Sequence, residues 1–402
     1  MKKTAIIVLS ILAFVGCSDI EVIEHYPDAE INFYSSADNM VRATTYDNKT
    51  FAQFFVWGVY NNNGAIQYIM NELPVNKVSG SWSYEGKKYW PAEGEVDFVG
   101  IYPSTTIAQT VLDPRTNTPS SSVSYTVSEA AREIRFSALR ANAKANYATA
   151  LPDVLYAVAE DMTKDSEAGN VQMTFRHAMN QIKMEIKNEN PMWALRFRPD
   201  SAVILHNVRH KGTYTLPSSS TTTGVDTLGS WSAWPLADAQ PEDFTILTGS
   251  TLELLTFNSA DDKQNYIRSG VFMKDGANAF MVPCHAAPWE PSTGVAAKDQ
   301  DGAYFEIWCR VEVTTPSMNE GTAPFVIWGD IDAKTAADEG YYKPVFIPVE
   351  VNWKEGICYK YTFAFGRGLG YNEDCTPATV PLTFSTEASS FTDAGAQDVT
   401  VK

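Results

Sequence analysis

Hydrophobic and polar residues alternate along many short stretches of this chain, with the period of two that is typical of β-strands. In residues 359–365 aromatic side chains occupy every second position, and lysine, threonine and alanine occupy the positions between them. Turn-forming residues separate such stretches, a pattern that predicts an all-β protein built from β-sandwiches. The clearest predicted strands are 54–60, 65–70, 81–84, 87–90, 96–102, 154–159, 202–208, 304–313, 345–351 and 359–365.

Two stretches in the first half depart from simple alternation. Residues 171–187 alternate cleanly at both ends, but the phase changes around 177–181, which predicts a bend or bulge. Residues 128–145 are rich in alanine and arginine and predict the chain's one helix. Further along, residues 188–191 have the character of a boundary between two domains.

A short run near the N-terminus also has a strand pattern. Ile31 and Phe33 alternate with polar neighbours within residues 29–35. The preceding residues 18–28 are acidic and polar, which is typical of a flexible spacer.

The first residues carry an export signal. Two lysines precede the apolar run 4–15, which is too short to span a bilayer as a helix, because that needs about 20 residues. The run ends at Gly16-Cys17, a small-residue cleavage point in the sequence FVGC that resembles a bacterial lipobox. Lipidation of Cys17 is therefore expected. The alternative is a plain secretory signal with an incidental cysteine.

Composition narrows the functional classes. The 402-residue chain is long enough for two domains and carries a formal net charge of −17. Binding of nucleic-acid phosphates needs clustered lysine and arginine, so we do not expect this protein to bind nucleic acid. Four further cysteines, Cys284, Cys309, Cys358 and Cys375, can form one or two disulfides or remain buried thiols, and both alternatives stay open.

No constellation of residues predicts catalysis, a metal or a cofactor. His206 and His210 have a helical metal-binding spacing, but the apolar pattern around them is that of a strand. The chain contains no G-x-S-x-G, H-E-x-x-H or P-loop sequence. Trp231 and Trp234 lie in polar surroundings and could stack on sugar rings, which keeps a carbohydrate-binding function as an alternative.

Four groups of motifs, in order along the chain, resemble those of the fimbrillin family. The first is YWP followed by VDFVGIYP, and the second is FRHAMNQI. The third is AFMVP, and the fourth is WKEGICYKY near the C-terminus. They occupy residues 89–91 with 96–103, 175–182, 279–283 and 353–361.

The resemblance implies a type V pilin, a lipoprotein with two transthyretin-like β-sandwiches in tandem. In that family a trypsin-like, arginine-specific protease cuts the leader, the first strand leaves, and a donor strand from a neighbouring subunit fills the groove. By this resemblance Arg42 and Ala43 flank the cleavage site, and Ile31 and Phe33 belong to a plug strand. The expected divisions are a signal peptide at 1–16, a leader at 17–42 and sandwiches at 43–190 and 191–402.

The resulting expectation is a structural, non-enzymatic subunit of cell-surface fimbriae that supports adhesion. Its expected partners are other pilin subunits, the arginine-specific protease, the outer membrane through the lipid, and host or bacterial surface ligands. The donor strand is expected in the C-terminal region, at 377–384 or 398–402. The alternative function is a carbohydrate-binding surface lipoprotein. Shaft, tip and anchor roles all remain open.

Overall fold

The structure is a computed structural model whose elements are almost all β-strands. Within the described part of the chain, no helix is both long and apolar enough to cross a membrane. The helical elements among these residues are short 3-10 turns at Ser166–Gly169, Pro291–Thr293 and Ala297–Asp299. The structure describes residues 25–35, 51–62, 65–102, 121–128, 132–138, 154–190, 192–199, 202–209, 211–217, 229–232, 242–247, 270–272, 279–313, 325–366, 368, 370–379 and 382–390.

The described residues form 27 strands, and the predicted all-β class is confirmed. Those of the first half are β1 (His25–Glu30), β2 (Asn32–Ser35), β3 (Gln53–Asn62), β4 (Ala65–Val78), β5 (Ser81–Tyr84), β6 (Tyr89–Pro91), β7 (Glu95–Tyr102), β8 (Ser121–Val127), β9 (Arg132–Ala138), β10 (Leu155–Met162), β11 (Asn170–Met173), β12 (Arg176–His177) and β13 (Asn180–Asn188). Those of the second half are β14 (Trp193–Phe197), β15 (Val203–Val208), β16 (Lys211–Thr215), β17 (Ser230–Trp231), β18 (Glu242–Leu247), β19 (Gly270–Phe272), β20 (Ala279–Met281), β21 (His285–Ala286), β22 (Tyr304–Val313), β23 (Phe325–Trp328), β24 (Lys343–Pro348), β25 (Val351–Asn352), β26 (Ile357–Phe365) and β27 (Leu382–Ser390).

A six-stranded sheet in the order β12-β10-β7-β3-β4-β5 forms the centre of the first sandwich. Both faces of this sheet are covered, so its central strands are apolar at nearly every position rather than at every second one. In β7, Phe98 packs in one core cluster while the adjacent Val99 packs in another. In β10, Leu155 and Tyr156 divide in the same way.

One face of the six-stranded sheet is covered by four short strands. Strand β1 pairs with β6, and β2 pairs with β11. These strands bring Ile31, Phe33, Trp90 and Val171 onto the face that carries Phe98, and together they form one buried cluster. The N-terminal strands are therefore part of the first core and do not lie on its surface.

The opposite face is covered by a four-stranded sheet that both halves of the chain build, in the order β17-β16-β9-β8. Residues 132–138 were expected to be helical on composition, and that prediction is wrong for them, since they form β9. Ile134 of β9 is fully buried between the half-buried Glu133 and the exposed Arg135, and this alternation is that of a strand. Pairing with β8 and β16 thus overrides the helix propensity of the segment.

The second sandwich packs two sheets around a core of aromatic residues. One sheet contains β13, β26 and β27, and the other is built around the long strand β22. Phe305 of β22 meets Tyr361 and Phe363 of β26 with ring centroids 5.1 and 5.0 Å apart. The strand predicted over 359–365 is confirmed by β26, and its four aromatic side chains are buried; of the residues between them, Lys360 and Ala364 are half-buried but Thr362 is buried as well.

The phase change predicted near 177–181 is where the chain passes from one sandwich to the other. Strand β11 covers the first sandwich and β12 is an edge of its six-stranded sheet. Strand β13, which begins at Asn180, instead pairs in parallel with β26 of the second sandwich. This strand runs to Asn188, so the residues just before the expected boundary at 191 hydrogen-bond with the C-terminal half.

The four described cysteines are all free thiols. Cys284, Cys309 and Cys358 are buried, and Cys375 is half-buried. Burial raises the pKa of Cys284 to about 11 and also raises the pKa of Cys309. Of the two alternatives that the sequence left open, the structure has thiols rather than disulfides.

Candidate functional site

The N-terminal strand lies in a slot of the first sandwich with alternate side chains inward. Ile31 is fully buried and Phe33 is 6% exposed, whereas Asn32 and Tyr34 are exposed. This alternation is the one that the hydrophobic pattern of residues 29–35 predicts. We call the space that holds the two inward side chains the N-terminal slot.

Aromatic rings line the N-terminal slot around Phe33. The Phe33 ring meets Phe98 at 5.5 Å, Tyr84 at 6.0 Å and Phe54 at 6.1 Å between ring centroids, each in an edge-to-face arrangement. Such pairs contribute about 0.5–1.5 kcal/mol each beyond the area that they bury. Because the three partners come from β3, β5 and β7, one side chain of β2 contacts three strands of the six-stranded sheet.

A glycine lets the two layers approach closely beside the N-terminal slot. A Cβ added at Gly100 would lie 2.7 Å from Met173 Cε and 3.0 Å from Phe175 Cζ. An isolated glycine within a strand pattern signals such a close approach, so the sequence itself carries a sign of this feature. The aromatic partners of Phe33 carried no comparable signal.

The backbone of the N-terminal strand is held by few hydrogen bonds. Strand β2 pairs in parallel with β11 over only four residues. The Ile31 N–H donates to the Lys88 carbonyl at 2.8 Å, and the Tyr84 hydroxyl donates to the Ile31 carbonyl at 2.6 Å. Strand β1 pairs irregularly with β6. Side-chain burial therefore contributes more to holding this strand than its sheet pairing does.

Polar contacts close the rim of the N-terminal slot. Lys87 Nζ lies 3.1 Å from Glu30 Oε2, and the Tyr34 hydroxyl donates to Gln172 Oε1 at 3.2 Å. The hydrogen bond with Glu30 raises the pKa of the exposed Lys87. Burial raises the pKa of Tyr84 to about 12, so this hydroxyl stays protonated and remains a donor to the N-terminal strand.

Several residues of the expected site lie outside the described residues. These are Cys17, Arg42, Ala43 and Trp234. Of the two expected donor segments, residues 382–384 begin β27, which pairs antiparallel with β26 of its own chain. Residues 398–402 lie outside the described part.

Trp231 contacts residues from both halves of the chain where the two halves meet. Its indole N–H donates to the Ala178 carbonyl at 2.8 Å, and its ring lies 5.2 Å from that of Tyr214. The guanidinium carbon of Arg209 is 5.3 Å from the ring centroid. These contacts use the polar atom of Trp231 and part of its ring surface for packing within the molecule.

Trp231→Phe is expected to lower the free energy of unfolding by about 1 kcal/mol, the usual net value of one hydrogen bond. The ring contact is kept, while the bond to Ala178 is lost. Urea unfolding followed by circular dichroism measures this change. Glycan-array binding of a Trp231→Ala variant tests the alternative function, because a sugar platform would lose its stacking face when the whole ring is removed.

The described residues contain no group of three or more histidine, cysteine, aspartate or glutamate side chains placed to hold a metal ion. His206 Nε2 lies 2.7 Å from Glu306 Oε2, and its ring stacks on Tyr304 with centroids 4.4 Å apart. His210 lies outside the described residues. His206 thus takes part in a local side-chain cluster on the second sandwich.

Comparison with known proteins places these features in a family. A family model described as fimbrillin-like matches residues 41–285, more than half of the chain. A fimbrial protein from Bacteroides vulgatus is 13% identical over 90% of this chain and 99% of its own, and its TM-score of 0.53 indicates a shared fold. The tip fimbrial protein Mfa3 from Porphyromonas gingivalis, 10% identical over 89% of this chain and 97% of its own, has a TM-score of 0.30, too low to support a fold assignment. No curated protein matches the chain.

Proposed function

The chain belongs to the fimbrillin-like family, and from this premise we propose that it is a structural subunit of cell-surface fimbriae that assembles by exchange of its N-terminal strand. Membership of the family supports the role of a pilus subunit and a location in the fimbrium. It also favours a non-enzymatic function. The mechanism of assembly is our proposal.

The observation that carries the proposal is the way β2 occupies the N-terminal slot. Two side chains are buried, while the backbone pairs over four residues only. Removal of this strand would uncover the rings around Phe33 and leave polar groups of β11 and Lys88 unpaired. Unpaired edge groups beside an apolar slot favour the addition of another strand. An incoming strand with apolar residues at alternate positions would fill the apolar slot with its side chains and hydrogen-bond to the unpaired edge groups with its backbone.

Proteolysis supplies the trigger in this proposal. Arg42 follows the N-terminal strand by seven residues, counting from Ser35, and a trypsin-like protease would cut before Ala43. The cut separates β1 and β2 from the rest of the chain, so that they are held only by non-covalent contacts. The donor would come from the C-terminal region of a neighbouring subunit. Residues 398–402 are the better candidate, because 382–384 already pair within their own sheet.

Lipid attached at Cys17 would anchor the precursor in the outer membrane until cleavage releases it. The assembled fimbrium would then carry the subunit to host or bacterial surface ligands. Other pilin subunits are its direct partners in this assembly.

The N-terminal mass of protein taken from the native cell surface tests this function. A species that begins at Ala43 and forms ladders of oligomers in mild detergent is the expected result. An Arg42→Gln variant should stay monomeric and retain its leader. The matched control is Arg135→Gln, since Arg135 is exposed on β9. A monomer that begins at acylated Cys17 in wild-type cells would contradict the proposed exchange.

A further inference from the structure

A cleft of about 610 Å³ opens at one end of the second sandwich, away from the residues that line the N-terminal slot. Its volume is within the range of pockets that hold small ligands or single side chains, roughly 300–1,000 Å³. The walls come from three connections, at residues 288–292, 348–350 and 371–375. Neither the strand exchange nor the expected glycan platform involves these residues.

The walls of the cleft are held in place by the fold. Trp289 is buried, and its indole N–H donates to the Val295 carbonyl at 3.1 Å. The ring of Tyr371 meets that of Trp289 at 5.8 Å. Tyr371 and Phe346 exchange two backbone hydrogen bonds of 2.9 and 3.0 Å, which fix the position of the tyrosine. A preformed site of this kind loses little entropy on binding.

The lining of the cleft is acidic, because it includes two glutamates and no lysine, arginine or histidine. Three prolines, at 288, 291 and 348, supply apolar surface and have no N–H to offer. The carboxylates of Glu290 and Glu350 are exposed at the cleft, and Glu350 Oε1 lies 3.7 Å from the exposed His285 Nε2 outside the lining. The Cys375 thiol, a further part of the wall, donates to the Val295 carbonyl at 3.0 Å. A ligand with a cationic head and an apolar stem complements this lining.

We propose that the cleft binds the basic side chain, lysine or arginine, of an extended segment in a protein partner. The aliphatic stem packs against the prolines and the Tyr371 ring, and the cationic head lies between the carboxylates of Glu290 and Glu350. The charge of −17 on the chain favours the approach of a basic partner. A neutral sugar fits less well, because it brings no positive charge to the two carboxylates.

Titration of the full chain with capped peptides tests the proposal. Acetyl-Gly-Arg-Gly-amide should bind, and the analogue with neutral citrulline in place of arginine should bind at least about tenfold more weakly. Saturation-transfer NMR should place the arginine methylenes in contact with the protein. Glu290→Gln combined with Glu350→Gln should weaken binding by about tenfold or more. Near-UV circular dichroism of the double variant checks that the fold is kept.

The matched control is Asp332→Asn combined with Glu339→Gln. Both residues are exposed, neither lines the cleft, and the change in net charge is the same. Equal loss of binding in both double variants would attribute the affinity to the general acidity of the surface and overturn the proposal. Equal binding of the citrulline analogue, absence of arginine binding up to about 10 mM, or capture of a neutral oligosaccharide in the cleft would also overturn it.

Discussion

Phe33→Ala is expected to destabilise the first sandwich by about 3–5 kcal/mol, the usual cost of truncating a buried phenylalanine. The substitution removes a side chain that is 6% exposed and contacts the rings of Phe54, Tyr84 and Phe98. The four-residue pairing of β2 cannot offset a loss of this size. The N-terminal strand should therefore leave its slot more often. Hydrogen-exchange mass spectrometry of peptides from β7 should show faster exchange than in the wild type.

Tyr34→Phe is the matched control for this prediction. It lies on the same strand with its side chain outward and loses only a hydroxyl that bonds to Gln172. Its effect should stay within about 0.5 kcal/mol, as for surface substitutions in general. Equal protection of β7 in Phe33→Ala and Tyr34→Phe would show that the inward side chains do not hold the strand.

The second large effect is a pH dependence that originates at Glu355, at the junction of the two halves. Burial raises the pKa of this carboxyl from an ordinary value of 4.5 to about 7, against the smaller opposing effects of Tyr214 and Arg176. The Tyr214 hydroxyl donates to that of Tyr156 at 2.8 Å, so tyrosines from two sheets meet beside the carboxyl. Glu355 Oε1 has no hydrogen-bond partner among the described residues.

The raised pKa has a definite sign for stability. Between about pH 4.5 and 7 folded Glu355 keeps its proton while the unfolded chain releases it, so the free energy of unfolding falls as pH rises. The contribution lost across this window is about 3 kcal/mol, from 1.36 kcal/mol per pKa unit. Urea unfolding at several values between pH 4.5 and 7.5 measures it. Above about pH 8, where the folded carboxyl is also ionised, this group should add no further change.

Glu355→Gln isolates the contribution of this carboxyl from that of the other acidic residues. The variant keeps the shape of the side chain and cannot titrate. The difference in unfolding free energy between wild type and variant should change across the window and become constant above about pH 8. A difference that is constant from pH 4.5 to 7.5 would mean that Glu355 has an ordinary pKa in the folded protein.

Much of the fold was predictable from local patterns, because strands such as β7, β22 and β26 carry their signal within ten residues. The helix expected over 128–145 failed in its described part for a physical reason. Strand β9 is stabilised by β16, whose residues lie about 80 positions later in the chain. The composition of residues 128–145 alone does not indicate that a strand so distant in the sequence will pair with them.

The N-terminal slot, too, was predictable only in part. The inward positions of Ile31 and Phe33 follow from alternation alone. The residues that receive them, Phe54, Tyr84 and Phe98, lie on three strands that only the topology brings together. The environment of Glu355 is likewise non-local, since Tyr156 and Tyr214 lie far before it in the sequence. Local patterns thus identified which residues point inward, but could not identify what they meet.

The four-stranded sheet that both halves build has a mechanical consequence. Strand β9 from the first half pairs with β16 from the second over five residue pairs. A force that pulls the two sandwiches apart therefore acts on a row of backbone hydrogen bonds rather than on a flexible tether. We expect the molecule to keep its length under moderate tension and to yield abruptly when this sheet ruptures. Such behaviour suits a load-bearing link in a fibre.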